Sequence, residues 1–343
     1  MPASGVSARA LLLFISVSLV SLMTFSQEAN QRPPWKDHTV FEISKEKPHA
    51  MAFPFSSAGE AIRNRKEDSK WFMSLNGLWN FRFSLNPSQR PVNFFEDTAD
   101  IFGWDLIKVP SNWELEGYDY PIYLDERFPF VSEWPDMQDD YNPVGSYRRE
   151  FSVDEEWLGR EVILHIGAVT SAVYVWINGK QAGYSEDSKT PAEFRITPYL
   201  VPGVNTIALQ VFRFSDASYI ESQDMLRLSG IERDVFLYAL PAVHFSDFHA
   251  RAGLSGDYRT GLLSLRAEIR NLSPGKEKVT AEVQLLDERN GLKKLYGQEQ
   301  NVTVAPDATQ TLIFTGKIED IFPWSAEKPD LYVSVNAEDA SRT

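Results

Sequence analysis

The sequence predicts an all-β chain, with a jelly roll or sandwich over residues 71–241 and a second β-sandwich over residues 242–343. Three observations carry this. Short apolar runs separated by turn residues recur at fairly even spacing up to Pro241, the pattern of a sandwich or jelly roll. Asn178-Gly179 follows Val173, Val175 and Ile177 directly, and Asn-Gly is a strong hairpin signal. After Pro241 the apolar residues fall on alternate positions, the period of a strand with one buried face.

Taken in order, residues 1–26 read as a secretory leader. Arg9 supplies the positive charge, Ala10–Met23 the short apolar run, and Ser26–Gln27 a plausible cleavage point. That run falls short of the roughly 20 apolar residues a membrane span needs, so no membrane attachment is expected after cleavage. Residues 27–70 read as an arm, polar and Pro-containing over 27–45, with a short helix at Ser57–Arg65. Strands are expected at Trp79–Phe83, Leu106–Val109, Tyr147–Ser152, Glu161–Ile166, Ala172–Ile177, Thr206–Phe212 and Val235–Ala239, with a second short helix at Glu155–Gly159. Beyond Pro241, Leu263, Leu265, Ala267 and Ile269 alternate with Ser264, Arg266, Glu268 and Arg270. Val279, Ala281, Val283 and Leu285 repeat the pattern, as do Leu331, Val333, Val335 and Ala337.

Composition narrows the function. Hydrophobic residues at 43% and charged residues at 24% place the chain among globular proteins. A formal net charge of −14, with no basic cluster, argues against nucleic acid or an anionic membrane as partner. Cysteine is absent, which excludes disulfides, a thiolate zinc site and a catalytic thiol. An exported protein without disulfides suits a bacterial periplasmic or secreted location. No phosphate-binding loop, dinucleotide fingerprint or HExxH motif is present.

The segment Arg213–Val235, RFSDASYIESQDMLRLSGIERDV, is the most informative. It joins two strands, and connectors of about twenty residues are usually functional or disordered. Tyr219, Ile220, Met225, Leu226, Leu228 and Ile231 argue for order, and Asp216, Glu221 and Asp224 mean that something polar is presented. An ordered acidic loop on a β scaffold is where a ligand contact is expected.

SDASYIESQDMLRLSGIERDV resembles the end of the sugar-binding domain of glycoside hydrolase family 2, in its β-galactosidase branch. LNGLWNFRF (Leu75–Phe83), VPSNWELEGYDYPIY (Val109–Tyr123), NPVGSYRREF (Asn142–Phe151) and AVYVWINGKQAGYSEDSKTPAEFRIT (Ala172–Thr197) agree with it in order and spacing. The resemblance implies a jelly-roll sugar-binding domain over 71–241. Residues 242–343 are similar, by position and pattern, to the family's next domain, an immunoglobulin-like sandwich. About six strands are expected there, where such a sandwich has about seven. This predicts a truncated sandwich whose final strand, Leu331–Asn336, lacks its hairpin partner and presents an open edge. The family's catalytic TIM barrel would begin after residue 343, so the chain by itself is expected to be inactive and the barrel is its expected partner. For the parent the resemblance implies a retaining hydrolase of terminal β-galactosides, a possible homo-oligomer, with magnesium in the barrel.

Within the resemblance, Asp224 of Gln223-Asp224-Met225 matches a residue that binds sodium and lies beside the galactose, a role carboxylate oxygens suit. Read from the residues alone, Asp224 more readily caps or braces its own loop. Asp125 stands where β-galactosidases commonly present Asn to a sugar hydroxyl; an ionised Asp accepts hydrogen bonds but donates none. Asp125 therefore puts the sugar in question, with β-glucuronides and β-mannosides as rivals. A catalytic pair needs opposed carboxyls about 5–5.5 Å apart; Asp136, Asp139 and Asp140, and Glu221 with Asp224, read instead as solvated loop acids. Trp79, Trp104, Trp113, Trp176 and Trp324 could stack on sugar rings, but most read as core, and Trp113 and Tyr118, in an irregular loop, are the better candidates for a ligand-facing surface. Arg233 is expected to pair with a carboxylate and hold the Arg213–Val235 loop. His165 reads as a packing or surface residue, and His244 and His249 as exposed. Two non-enzymatic readings stand beside the hydrolase: a carbohydrate-binding module and an assembly partner for a separate barrel chain.

Overall fold

The computed structural model describes residues 32–287, 290–327 and 331–339, so the expected leader lies outside the described residues. Strands are numbered β1 to β22 in chain order. The larger domain is two sheets face to face. The first has seven strands in the order β1 (Glu42–Ile43), β11 (Lys180–Ser185), β10 (Ala172–Ile177), β13 (Gly203–Phe212), β7 (Val144–Val153), β3 (Gly77–Ser84) and β4 (Asp105–Val109). The second has β12 (Ala192–Arg195), β8 (Glu161–Ile166), β16 (Val235–Leu240) and β2 (Phe72–Ser74). All seven strands expected in this domain are present, several longer than the apolar run that announced them.

The inner faces meet in one core. Val173, Val175, Ile177, Ile207, Leu209 and Val211 come from the large sheet, and Val162, Leu164, Ile166, Val235 and Leu237 from the small one. Each such side chain contributes about 1.5–3 kcal/mol on burial. The outer faces are covered in part. Trp35 from the arm is 4% exposed and stacks on Phe212 at 5.0 Å, and Phe53 packs with Phe72 against Phe236 and Tyr238. Strands covered on both faces read as continuous apolar runs rather than alternating ones, as β8 and β10 do.

The described part of the arm, residues 32–70, is thus a packed strap. Its β1 adds to the sheet edge through Glu42↔Ser185. Its helix, α1 (Ala58–Arg63), is capped by Ser57, whose hydroxyl accepts from the Glu60 N–H, and ends at Asn64 with φ 50°. The expected Glu155–Gly159 helix is a single 3-10 turn, Glu155–Trp157. The Asn178-Gly179 hairpin joins β10 to β11 with φ of 49° and 75°, the positive pair that a type I′ turn requires.

Gly145, on β7, marks a close approach. A Cβ there would lie 2.6 Å from Trp113 Cζ3 and 2.9 Å from Phe81 Cε2. Gly145→Ala is expected to cost about 1–3 kcal/mol by overpacking, read as a lowered denaturation midpoint at unchanged m-value.

The smaller domain is a sandwich of two three-stranded sheets. One is β17 (Val243–Leu254), β18 (Gly261–Asn271) and β21 (Ala308–Ile318); the other is β20 (Lys293–Val304), β19 (Glu277–Asp287) and β22 (Leu331–Asp339). Leu263, Leu265, Ala267 and Ile269, and Val279, Ala281, Val283 and Leu285, are all buried as the alternation predicts. β22 pairs only with β19 among the described residues and forms an edge of its sheet.

Candidate functional site

The site is built on a two-stranded ribbon, β6 (Ile122–Leu124) against β14 (Met225–Arg227). Arg227 pairs with Ile122, Leu226 with Tyr123 and Met225 with Leu124. One residue further, Asp224 and Asp125 leave the same end of the ribbon side by side, both exposed. The structure therefore brings together the two acids expected to carry the site. The Tyr123 hydroxyl donates to Asp224 Oδ1 at 2.8 Å, which raises the phenol above its ordinary value. Asp125 Oδ1 accepts from the N–H of Glu126 at 2.8 Å.

The rest of the 213–235 loop is ordered, as expected. Ser215 and Ser218 cap the 3-10 turn Asp216–Tyr219 reciprocally. β15 (Gly230–Ile231) joins β5 (Ser111–Asn112) and β9 (Val169–Thr170) in a small sheet. Its Gly230, at φ +118°, leaves no room for a Cβ, which would stand 2.8 Å from the Ser111 carbonyl.

Several residues are not where the sequence suggested. Asp216 is buried beside Glu186, and burial raises both carboxyls. Glu221 is half-buried rather than solvated; it accepts from the N–H and hydroxyl of Ser188 at 2.6 and 2.7 Å, and burial raises it. Asp136 and Asp139, by contrast, are exposed loop acids as expected, and they also bind the strap, at 2.5 Å from Arg32 and 2.6 Å from Lys36. Trp113 faces no ligand: it is fully buried, between Phe81 and Phe83. Tyr118 is half-buried edge-on to Phe81 at 4.8 Å. Exposed aromatics in the neighbouring loops include Tyr120, Tyr123, Phe128 and Trp134.

Among the described residues Arg233 pairs with no carboxylate; its Nη1 donates to the Lys189 carbonyl at 3.1 Å. The guanidinium inside the loop is Arg213, at the end of β13 and 1% exposed. Its Nη1 contacts Asp119 Oδ2 in a short ion pair, the Tyr141 hydroxyl at 3.1 Å and Glu114 Oε1 at 3.4 Å. Its Nη2 reaches the carbonyls of Tyr120 at 3.2 Å and Arg227 at 3.5 Å. Burial raises the Glu114 carboxyl, whose Oε2 accepts from the Ser229 N–H at 2.9 Å. Arg213 went unnoticed in sequence; the available signal was a cation between Phe212 and Phe214 at the end of an apolar strand.

His165 and His244 are both buried. His165 Nδ1 lies 2.7 Å from Glu193 Oε1, and Glu193 Oε2 lies 2.8 Å from His49 Nε2 and accepts from the Tyr238 hydroxyl at 2.9 Å.

No group of three or more His, Cys, Asp or Glu is placed to hold a metal among the described residues. Asp224 and Asp125 supply hard oxygen donors, which fits a sodium ion only where other oxygens complete the shell.

The fold and the ribbon define a jelly-roll module that presents two exposed acids at one end of a short ribbon, followed by an immunoglobulin-like sandwich. Residues 72–241 match the family model for the glycosyl hydrolases family 2 sugar-binding domain, and residues 243–338 match a further model of glycosyl hydrolases family 2. The chain belongs to glycosyl hydrolase family 2. It is 43% identical over 318 residues to a beta-galactosidase of Priestia megaterium, covering 91% of this chain and 30% of that protein. It is 34% identical over 304 residues to a beta-galactosidase of Halalkalibacterium halodurans, covering 87% and 29%. The chain thus spans about 30% of the length of these curated relatives. A beta-glucuronidase of Bacteroides uniformis shares the fold at a TM-score of 0.65 and 22% identity, over 79% of this chain and 30% of that one. A family 2 member from Bacteroides cellulosilyticus does so at 0.61 and 18%, over 79% and 35%.

Proposed function

We propose that this chain forms the sugar-binding wall of a β-galactosidase-like retaining glycoside hydrolase, with Asp224 and Asp125 accepting hydrogen bonds from glycone hydroxyls. The observation that carries this reading is the β6–β14 register, which sets the two acids together at one exposed tip. The bond-breaking carboxyls belong elsewhere, on a barrel domain. A retaining pair flanks the scissile bond, whereas Asp224 and Asp125 leave one end of one ribbon. Two adjacent carboxylates repel an anionic sugar by Coulomb's law, which favours a neutral galactoside over a glucuronide. A sodium ion at Asp224 would be completed by oxygens outside this chain and would screen that pair. The leader reading of residues 1–26 supports export to the periplasm or medium.

In the full-length polypeptide carrying this chain, Asp224→Asn is expected to lower kcat/KM on a nitrophenyl β-galactoside about 10–100-fold, the loss of a charged hydrogen bond. The 343-residue chain alone is expected to show no turnover. Unchanged kcat/KM in the variant, or turnover by the chain alone, would remove the proposal. Micromolar sugar affinity of the chain alone would move the reading to an independent binding module.

A further inference from the structure

We infer that Arg213 is the positioning residue of the acid-tipped ribbon, fixing the direction in which Asp224 and Asp125 project. The inference rests on the sugar-wall reading for its kinetic consequence, and on geometry alone for its structural one. A two-stranded ribbon is marginally stable by itself, and β6 and β14 share only three residue pairs. Something must hold their root. Arg213 Nη2 spans both strands there, through the carbonyl of Tyr120, just before β6, and that of Arg227, the last residue of β14. Nη1 binds Asp119 and the Tyr141 hydroxyl on the neighbouring loop. The side chain springs from just beyond the end of β13, which pairs along its length with β7 and over Ile207–Phe212 with β10. Core rigidity is therefore carried to the ribbon through one planar fork.

Leverage makes this matter. Asp224 lies three residues from Arg227, roughly 10 Å along an extended strand. A tilt of about 10° at the root moves the carboxylates by roughly 2 Å over that length, and misplacement of about 1 Å can cost a hundredfold in rate. Lysine supplies charge without the fork and cannot bridge the same acceptors in one plane. The two carboxylates facing Arg213, Asp119 and Glu114, keep this buried cation paired.

The test is amide hydrogen exchange on the 343-residue chain, comparing wild type, Arg213→Lys and Asp119→Asn. Both variants are expected to speed exchange of the β6 and β14 amides about tenfold or more, the worth of one charge-assisted hydrogen bond, while β7 and β13 amides keep their protection. Unchanged ribbon exchange in both folded variants would overturn the inference. So would equal acceleration across the whole jelly roll, since that reports global stability only. In the full-length polypeptide, Arg213→Lys is expected to raise KM more than it lowers kcat. If Asp224→Asn leaves activity intact while Arg213→Lys still loosens the ribbon, the staple stands and the sugar-wall reading falls.

Discussion

Glu193→Ala is expected to destabilise the chain by about 3–5 kcal/mol, the cost of removing one partner from a buried ionic cluster. Glu193, on β12, is the common acceptor of His165 on β8, Tyr238 on β16 and His49 on the strap. His165 is buried and stacks on Phe236 at 4.3 Å. Close by, the strap's Ala50 N–H donates to Asp247 at 2.9 Å, and Arg270 lies 3.0 Å from Glu46, so the strap binds both domains. The effect has a pH window. Burial pushes the Glu193 carboxyl up, but hydrogen bonds from His165 and His49 outweigh it and hold the group at about 2. Its contribution is present above its unfolded value near 4.5 and fades as pH falls toward 2. The hydrogen bond to Glu193 raises His49 to about 9 against partial burial. That contribution is complete below the unfolded value near 6.5 and is lost as pH climbs through 9. The two shifts describe one shared interaction and are not summed. Denaturant melts should show the largest gap between wild type and variant at about pH 5.5, shrinking toward pH 9.5. A gap under about 1 kcal/mol, or one flat with pH, would refute this account.

Trp113→Ala is the second large expected effect, also about 3–5 kcal/mol. The ring is fully buried against Phe81, Phe83 and the Gly145 backbone. Its own backbone also organises the loop that leads to β6. The Trp113 carbonyl accepts from Glu116 and Tyr118 N–H groups, and its N–H donates to the Ser229 carbonyl, all at 3.1 Å. Emptying the ring's place creates a cavity under the ribbon's approach, so stability and ribbon protection should fall together. Chemical denaturation reads the first and hydrogen exchange the second. Loss below about 1 kcal/mol would show that the neighbours collapse into the space.

How much was legible in the sequence differs between the two domains for a physical reason. In β18 and β19 of the smaller domain one face is buried and the other is more open to water, so Leu263, Leu265, Ala267 and Ile269 announce themselves by alternation. In the central strands of the larger domain, such as β10 and β13, both faces are covered, and the runs give strand positions but not their extent. Asn178-Gly179 was readable because a local turn needs only local chemistry. Trp113 misled because its loop lacks periodicity, and depth cannot be read without it. The partnership of Asp224 with Asp125 depends on a register between distant segments that neither segment encodes alone. Arg233 and Arg213 are chemically alike in sequence; only the fold shows which one faces inward. His165 and His244 are buried by neighbours distant in sequence, including the strap, which reads as merely polar.

The sheet order carries a consequence for how the chain assembles. β2, near residue 72, pairs only with β16, near residue 236, among the described residues, and β3 waits for β7 before it enters the large sheet. Non-local pairings of this kind must meet the entropy of closing long loops before any contact rewards them. A ribosome moving from the N-terminus therefore releases the first strands well before their partners exist, and the larger domain can close only once Leu240 has emerged. The local meander of the smaller domain, β17 to β18 and β19 to β20, pays no such delay. Folding order should then depart from chain order, with the second sandwich forming its hairpins while the first is still gathering its two sheets.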